Sequence, residues 1–191
     1  MTTSIETSGS GYRFFPGNRF SWDAIKDTYQ DCFKSGFSFW TNQTYKIPLR
    51  TTASVLIGLI AIESIIEGLV GARYNFLSQF TGNLGVLFLQ CVFLGFVLLM
   101  KEWLEARGTL EEYLAFCTYS HFVMLPVKLI SAGLPQLGAL FKVLTILWIL
   151  VGFYKAFQLV WSRFLVLAGI VLGIGLLGFL AAFFAGLKLL I

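Results

Sequence analysis

From residue 48 onward the chain is a succession of long apolar runs broken by short polar stretches. About 20 helical residues cross the hydrocarbon core of a bilayer, and five runs reach that length, at about 48–71, 84–103, 110–131, 136–159 and 164–191. Lipid offers no partners to backbone polar groups, so each run must satisfy its own hydrogen bonds as a helix. The pattern predicts an all-α, polytopic integral membrane bundle of five transmembrane helices over residues 48–191. With an odd number of spans, the termini lie on opposite sides of the membrane.

Upstream the pattern changes. Residues 1–20 form a polar tail, and in residues 21–47 the apolar side chains recur at helical spacing: Trp22, Ile25, Tyr29, Phe33, Phe37 and Trp40. Lys26, Asp27, Gln30, Asp31 and Lys34 take the other side. Ser21 fits the N-cap of such a helix. The arrangement predicts an amphipathic helix lying in the membrane interface with its aromatics at headgroup depth; the same pattern serves a helix packed on a partner or on the bundle.

Two short motifs fix helix ends. Thr109, followed three residues later by Glu112 after the turn glycine Gly108, forms a capping box at the start of the third span. The stretch Ser131-Ala132-Gly133-Leu134-Pro135 leaves room only for a tight hairpin, so the third and fourth spans are antiparallel neighbours.

Composition agrees with the pattern. The 191 residues are 57% hydrophobic and 13% charged, the latter about half the share found in soluble domains, so a polar surface cannot be assembled and the solvent is lipid. The net charge of +4 arises without a basic run, which excludes nucleic acid as a partner. Lys and Arg instead gather on one side. Arg13, Arg19, Lys26, Lys34, Lys46 and Arg50 precede the first span, Lys101 and Arg107 lie in the second loop, and Lys155 and Arg163 in the fourth. Only Arg73 and Lys188 fall opposite. This bias places the N-terminus in the cytoplasm and the C-terminus outside. Cys32, Cys91 and Cys117 lack paired spacing, which argues against a disulfide framework or a zinc site. Cys32 is a packed thiol or a palmitoylation site.

Ionisable groups inside a membrane cost about 2.5–3.5 kcal/mol each on insertion scales and so tend to face protein and pair. Glu63 and Glu67 in the first span, His121 and Lys128 in the third, and Lys142 in the fourth are such groups. With a rise of about 1.5 Å per residue, Glu63 and His121 fall within about 5 Å of mid-bilayer. Glu67 and Lys128 lie together near the outer end, while Lys142 descends to the level of Glu63. Opposite charges at matched depth offset each other's desolvation. Pro126 adds a further polar group, since it lacks an N–H and frees the carbonyl of Phe122. Two other uses of the set stand beside ion pairing: a proton or ion path, and long side chains reaching the interface.

Chemistry finds less support. Glu63, Glu67 and His121 are metal-ligand types, but the second Glu-x-x-His motif of a di-iron bundle is absent. Ser120 and His121 are adjacent on one helix, and no nucleophile elbow occurs. No enzyme activity, metal or cofactor is implied. In the fifth span, Gly169 and Gly173 are four apart, with Gly175 and Gly178 beyond, a spacing that lets helices approach closely within the chain or between copies.

The lead-in CFKSGFSFWTN to YKIPL, the stretch KEWLEARGTLEEYLAFCTYSHFVMLP, the Pro-containing hairpin, the aromatic LTILWILVGFYKAF and the Gly-rich last span resemble, in that order, the bacterial type of the Yip1 domain family. The matching positions are Tyr119 and Pro126 in the third helix and Trp148 and Tyr154 in the fourth, all structural in role. The resemblance implies five helices, a cytoplasmic N-terminus, a place in the bacterial inner membrane, and membrane organisation or partner recruitment without catalysis. The leading expectation is a non-enzymatic scaffold, or an accessory subunit of a larger complex, working with membrane-protein partners or copies of itself. A small transporter or ion conduit using Glu63, Glu67, His121 and Lys142 is the alternative.

Overall fold

The computed structural model describes residues 11–42, 47–70, 76–170 and 173. Among them the ordered elements are helices: α1 (Trp22–Ser35), α2 (Ser38–Thr41), α3 (Leu49–Val70), α4 (Phe76–Leu99), α5 (Lys101–Leu104), α6 (Leu110–Gly133) and α7 (Pro135–Ala156), followed by α8 (Trp161–Ile170). Helices α3, α4, α6 and α7 are long and apolar enough to cross a membrane, which makes this a multi-pass membrane protein. The fifth predicted span, with Gly175 and Gly178, lies largely outside the described residues. At Gly169 and Gly173 an added Cβ would meet nothing within 4 Å among the described atoms.

Helix α6 is the axis of the bundle. It packs along both α3 and α7, and α3 also packs on α4. Its start carries the full capping box: Thr109 accepts from the Glu112 N–H while the Glu112 carboxylate accepts from the Thr109 N–H. Only Leu134 separates α6 from α7, and Pro135 opens α7 where its missing N–H costs nothing. The two helices then meet so closely that a Cβ on Gly138 would overlap the backbone of Ser131.

The second span differs from its expected limits. Helix α4 starts at Phe76, eight residues before 84, and ends at Leu99; Lys101–Leu104 form the separate α5, closed by Glu105 at φ 54°. The early start takes in Ser78, Thr81 and Asn83, which interrupt the apolar run. The Thr81 hydroxyl bonds back to the Leu77 carbonyl, and Asn83 turns inward.

The N-terminal segment also departs from one continuous interfacial helix. The Ser21 cap forms, with the Ala24 N–H donating to Ser21 Oγ at 3.3 Å. Gly36, at φ 54°, then ends α1, a backbone conformation that glycine adopts without a Cβ penalty. The aromatic stripe therefore divides. Trp22 and Phe33 are 74% and 83% exposed, and Phe37 is exposed beneath the Lys155 ammonium. Ile25 and Tyr29 pack against the core. Trp40, expected at headgroup depth, is instead 0% exposed: its ring lies on Gly152 of α7 and against Phe116 and Trp148.

The segment before α1 enters the bundle as well. Tyr12 is buried, with its hydroxyl 3.0 Å from both Thr52 of α3 and Thr118 of α6. Thr118 spends its own proton on the Leu114 carbonyl, so Tyr12 donates to Thr118 and accepts from Thr52. Phe14 stacks on Phe122 with ring centroids 4.1 Å apart. Cys32 is buried on the inner face of α1, where burial, with the Asp31 charge beside it, pushes its thiol up to about 12. A buried neutral thiol is a packing group rather than an acylation site.

Candidate functional site

The intramembrane polar residues form one cluster between α3, α4 and α6. Glu63, 0% exposed, stands at its centre. One carboxylate oxygen meets His121 Nδ1 at 3.0 Å, and the other meets the Lys128 ammonium at 2.9 Å. Lys128 also reaches Glu67 at 3.4 Å and donates to Asn83 Oδ1 at 3.1 Å. The Asn83 amide nitrogen, in turn, donates to Ser64 Oγ at 3.0 Å and Glu67 Oε2 at 3.1 Å. Ser64 passes its own proton to the Ile60 carbonyl. The far ring nitrogen of His121 lies 2.9 Å from Gln90 Oε1.

Helical spacing explains why these residues meet. Glu63 and Glu67 are one turn apart on α3, whereas Asn83 and Gln90 on α4, and His121 and Lys128 on α6, are each seven residues apart. Seven residues make two turns, so each pair shares a face. The flexible Lys128 stem bridges both glutamates, although its Cα belongs at the level of Glu67.

Charge balance depends on the imidazole. Two carboxylates face one ammonium, which leaves one negative charge. With Gln90 Oε1 toward Nε2, the ring donates at both nitrogens and its positive charge completes the balance. Rotating the amide to present its nitrogen suits the neutral ring, which then keeps its proton on Nδ1 for Glu63.

Four of the five expected charges thus come together. The fifth, Lys142, does not: it sits half-buried on α7 and forms no ion pair among the described residues. The cluster draws on α3, α4 and α6, whereas α7 packs on α6 and on α2. Asn83, Gln90 and Ser64 are members that the charge-based reading passes over. The signal for the first two is their seven-residue spacing in an apolar run, since an uncharged amide in lipid also needs partners.

The freed carbonyl at Pro126 has a partner as well. The Tyr29 hydroxyl donates to the Phe122 carbonyl at 2.8 Å, and the Tyr29 ring stacks on that of Phe122 with centroids 4.4 Å apart. Burial raises the Tyr29 hydroxyl above the ordinary tyrosine range, which keeps its proton in place for the bond. The carbonyl that Pro126 leaves free in α6 is therefore one point at which α1 is tied to the bundle.

The four positions of the family resemblance are also placed. Tyr119 is buried, accepts from the Arg13 N–H at 3.1 Å and packs against Tyr12, Phe14 and Phe39. Trp148 packs on Phe39 and Trp40, and Tyr154 on Trp161 and Phe164. Pro126 lines a large cavity beside α1. No group of three or more metal-ligating side chains that could hold an ion occurs among the described residues. Comparison with protein-family models, curated proteins and solved structures finds no match to this chain.

Proposed function

We propose that this chain is a non-enzymatic integral membrane protein that scaffolds partners or organises the bilayer, in line with its resemblance to the bacterial-type Yip1 domain family. One observation carries the reading. The charges of the polar cluster are spent on one another across three helices: both oxygens of Glu63 are engaged, and Lys128 joins both glutamates. A conduit needs groups that meet water, whereas Glu63 has no exposed surface.

The recruiting surface is the outer side of α1. Its inner side is committed to the bundle, while Asp23, Lys26, Asp27, Gln30 and Lys34 are exposed. At 100° per residue, Trp22 and Phe33 fall within about 20° of each other, on the border between the buried stripe and the charged face. That supports α1 at the interface, aromatics toward lipid and charges toward the cytoplasm. The topology that goes with this reading has five spans, a cytoplasmic N-terminus and a home in the bacterial inner membrane.

Mild detergent extraction of the tagged full chain, followed by mass spectrometry of what co-purifies, tests the proposal. A defined partner set at stoichiometric yield, lost on charge reversal at Lys26 and Lys34, is expected. A chain that purifies alone, as monomer or dimer, contradicts it and returns weight to transport.

A further inference from the structure

A cavity of about 1030 Å³ opens between the N-terminal segment, α3 and α6. Its α3 wall runs from Arg50 through Ser54, Gly58 and Ile62 to Ile66, one turn per step. At about 1.5 Å per residue that wall is about 24 Å long, longer than the roughly 15 Å that one leaflet of a ~30 Å hydrocarbon core provides, so the groove can hold the acyl chains of one phospholipid along its length. Phe14, Phe15, Phe20 and Trp22 stand at the side of the N-terminal segment, and Phe122, Leu125 and Leu129 at the side of α6. The walls are apolar nearly throughout. Arg50 is the single charged residue among those lining the cavity, it sits at one end, and its guanidinium forms no ion pair among the described residues.

We propose that this cavity is a binding site for one anionic glycerophospholipid. Its phosphate lies at Arg50, with the hydroxyl of Thr51 beside it, and its acyl chains run along the groove toward Ile66 and Leu129. The polarity of the groove selects this occupant. An unpaired cation at one end and a long apolar wall beyond match a molecule with an anionic head and hydrocarbon tails, whereas a peptide would bring backbone groups that the wall cannot satisfy. Gly58, midway along the wall, supports the same occupant, because an added Cβ there would meet nothing within 4 Å. The site is independent of the scaffold reading: it concerns lipid held by the fold, not a protein partner.

The test reconstitutes the full chain in vesicles of phosphatidylcholine and phosphatidylglycerol at 3:1, extracts it gently, and counts retained lipid by native mass spectrometry. The expected result is one retained phospholipid per chain, with the retained ratio of phosphatidylglycerol to phosphatidylcholine raised about fivefold over the bulk ratio, the size expected for one Lys or Arg at an anionic membrane surface. Arg50→Gln should abolish the enrichment while leaving retention measurable, and Gly58→Phe should lower retention of both lipids with the chain still folded by circular dichroism. Retention without headgroup preference, enrichment that survives Arg50→Gln, a protein dimer with the groove free of lipid, or no retained lipid each overturns the proposal. If Gly58→Phe fails to fold, Ile62→Trp at the same wall supplies the filling variant.

Discussion

Glu63 is the residue on which three helices depend. Removing one partner of a buried ion pair leaves an uncompensated charge and typically costs about 3–5 kcal/mol. Glu63→Gln and Lys128→Met should therefore each lower the thermal midpoint in detergent sharply, while the double variant should lose less than the sum, with a coupling of about 1–3 kcal/mol. Additive losses would show that the 2.9 Å contact contributes no pairing energy. Tyr29 carries a separate, pH-dependent tie. Its hydroxyl titrates near 10.0 in the unfolded chain and higher when folded, so its contribution is complete below pH 10 and is lost as pH rises through the folded value. Stability should fall above pH 10, and Tyr29→Phe should flatten that limb while costing about 1–3 kcal/mol at neutral pH through the orphaned Phe122 carbonyl.

The elements show where pattern reading succeeds and where it stops. Helices α3, α6 and α7 were legible because their apolar runs and punctuation coincide: the Thr109–Glu112 box and the Leu134-Pro135 junction are local signals. The start of α4 was not, because Ser78, Thr81 and Asn83 read as loop, although Thr81 bonds back to its own helix and Asn83 finds its partners on α3 and α6. The division of the aromatic stripe on α1 and α2 was equally hidden. Spacing reveals that Trp22 and Trp40 share a helical face, but only the turn at Gly36 and the bare backbone of Gly152 send one outward and the other into the core. Two substitutions probe these joints. Gly152→Ala should push a methyl group into the Trp40 ring and destabilise the chain by about 1–3 kcal/mol, with a red shift in tryptophan emission as Trp40 leaves its seat. Pro126→Ala should restore an N–H that competes for the Phe122 carbonyl, loosen α1 and raise its protease sensitivity about fivefold; unchanged cleavage within α1 would mean that the Tyr29 bond does not hold it.

At the scale of the whole molecule, the cluster and the N-terminal segment address one problem, which is how to hold long helices together in a solvent as apolar as they are. Hydrophobic burial gives little between spans in lipid. The chain instead uses ion pairs and amides among α3, α4 and α6, and threads Tyr12, Phe14, Tyr29, Phe39 and Trp40 into the same core. Among the expected charges, Glu63, Glu67, His121 and Lys128 were legible from depth, since charges in lipid must find one another, whereas the uncharged members Ser64, Asn83 and Gln90 were not. Lys142 was the exception, because depth does not say which helix lies beside which.

That closed cluster is the central claim, and a proton-flux assay addresses it most directly. Full-length protein is reconstituted in dye-loaded vesicles and a pH gradient of about one unit, or 1.4 kcal/mol per proton, is imposed. A cluster that serves as a structural tie predicts decay no faster than in protein-free vesicles. Rapid collapse of the gradient by the wild-type chain, abolished in Glu63→Gln, would contradict it and identify the same residues as a path.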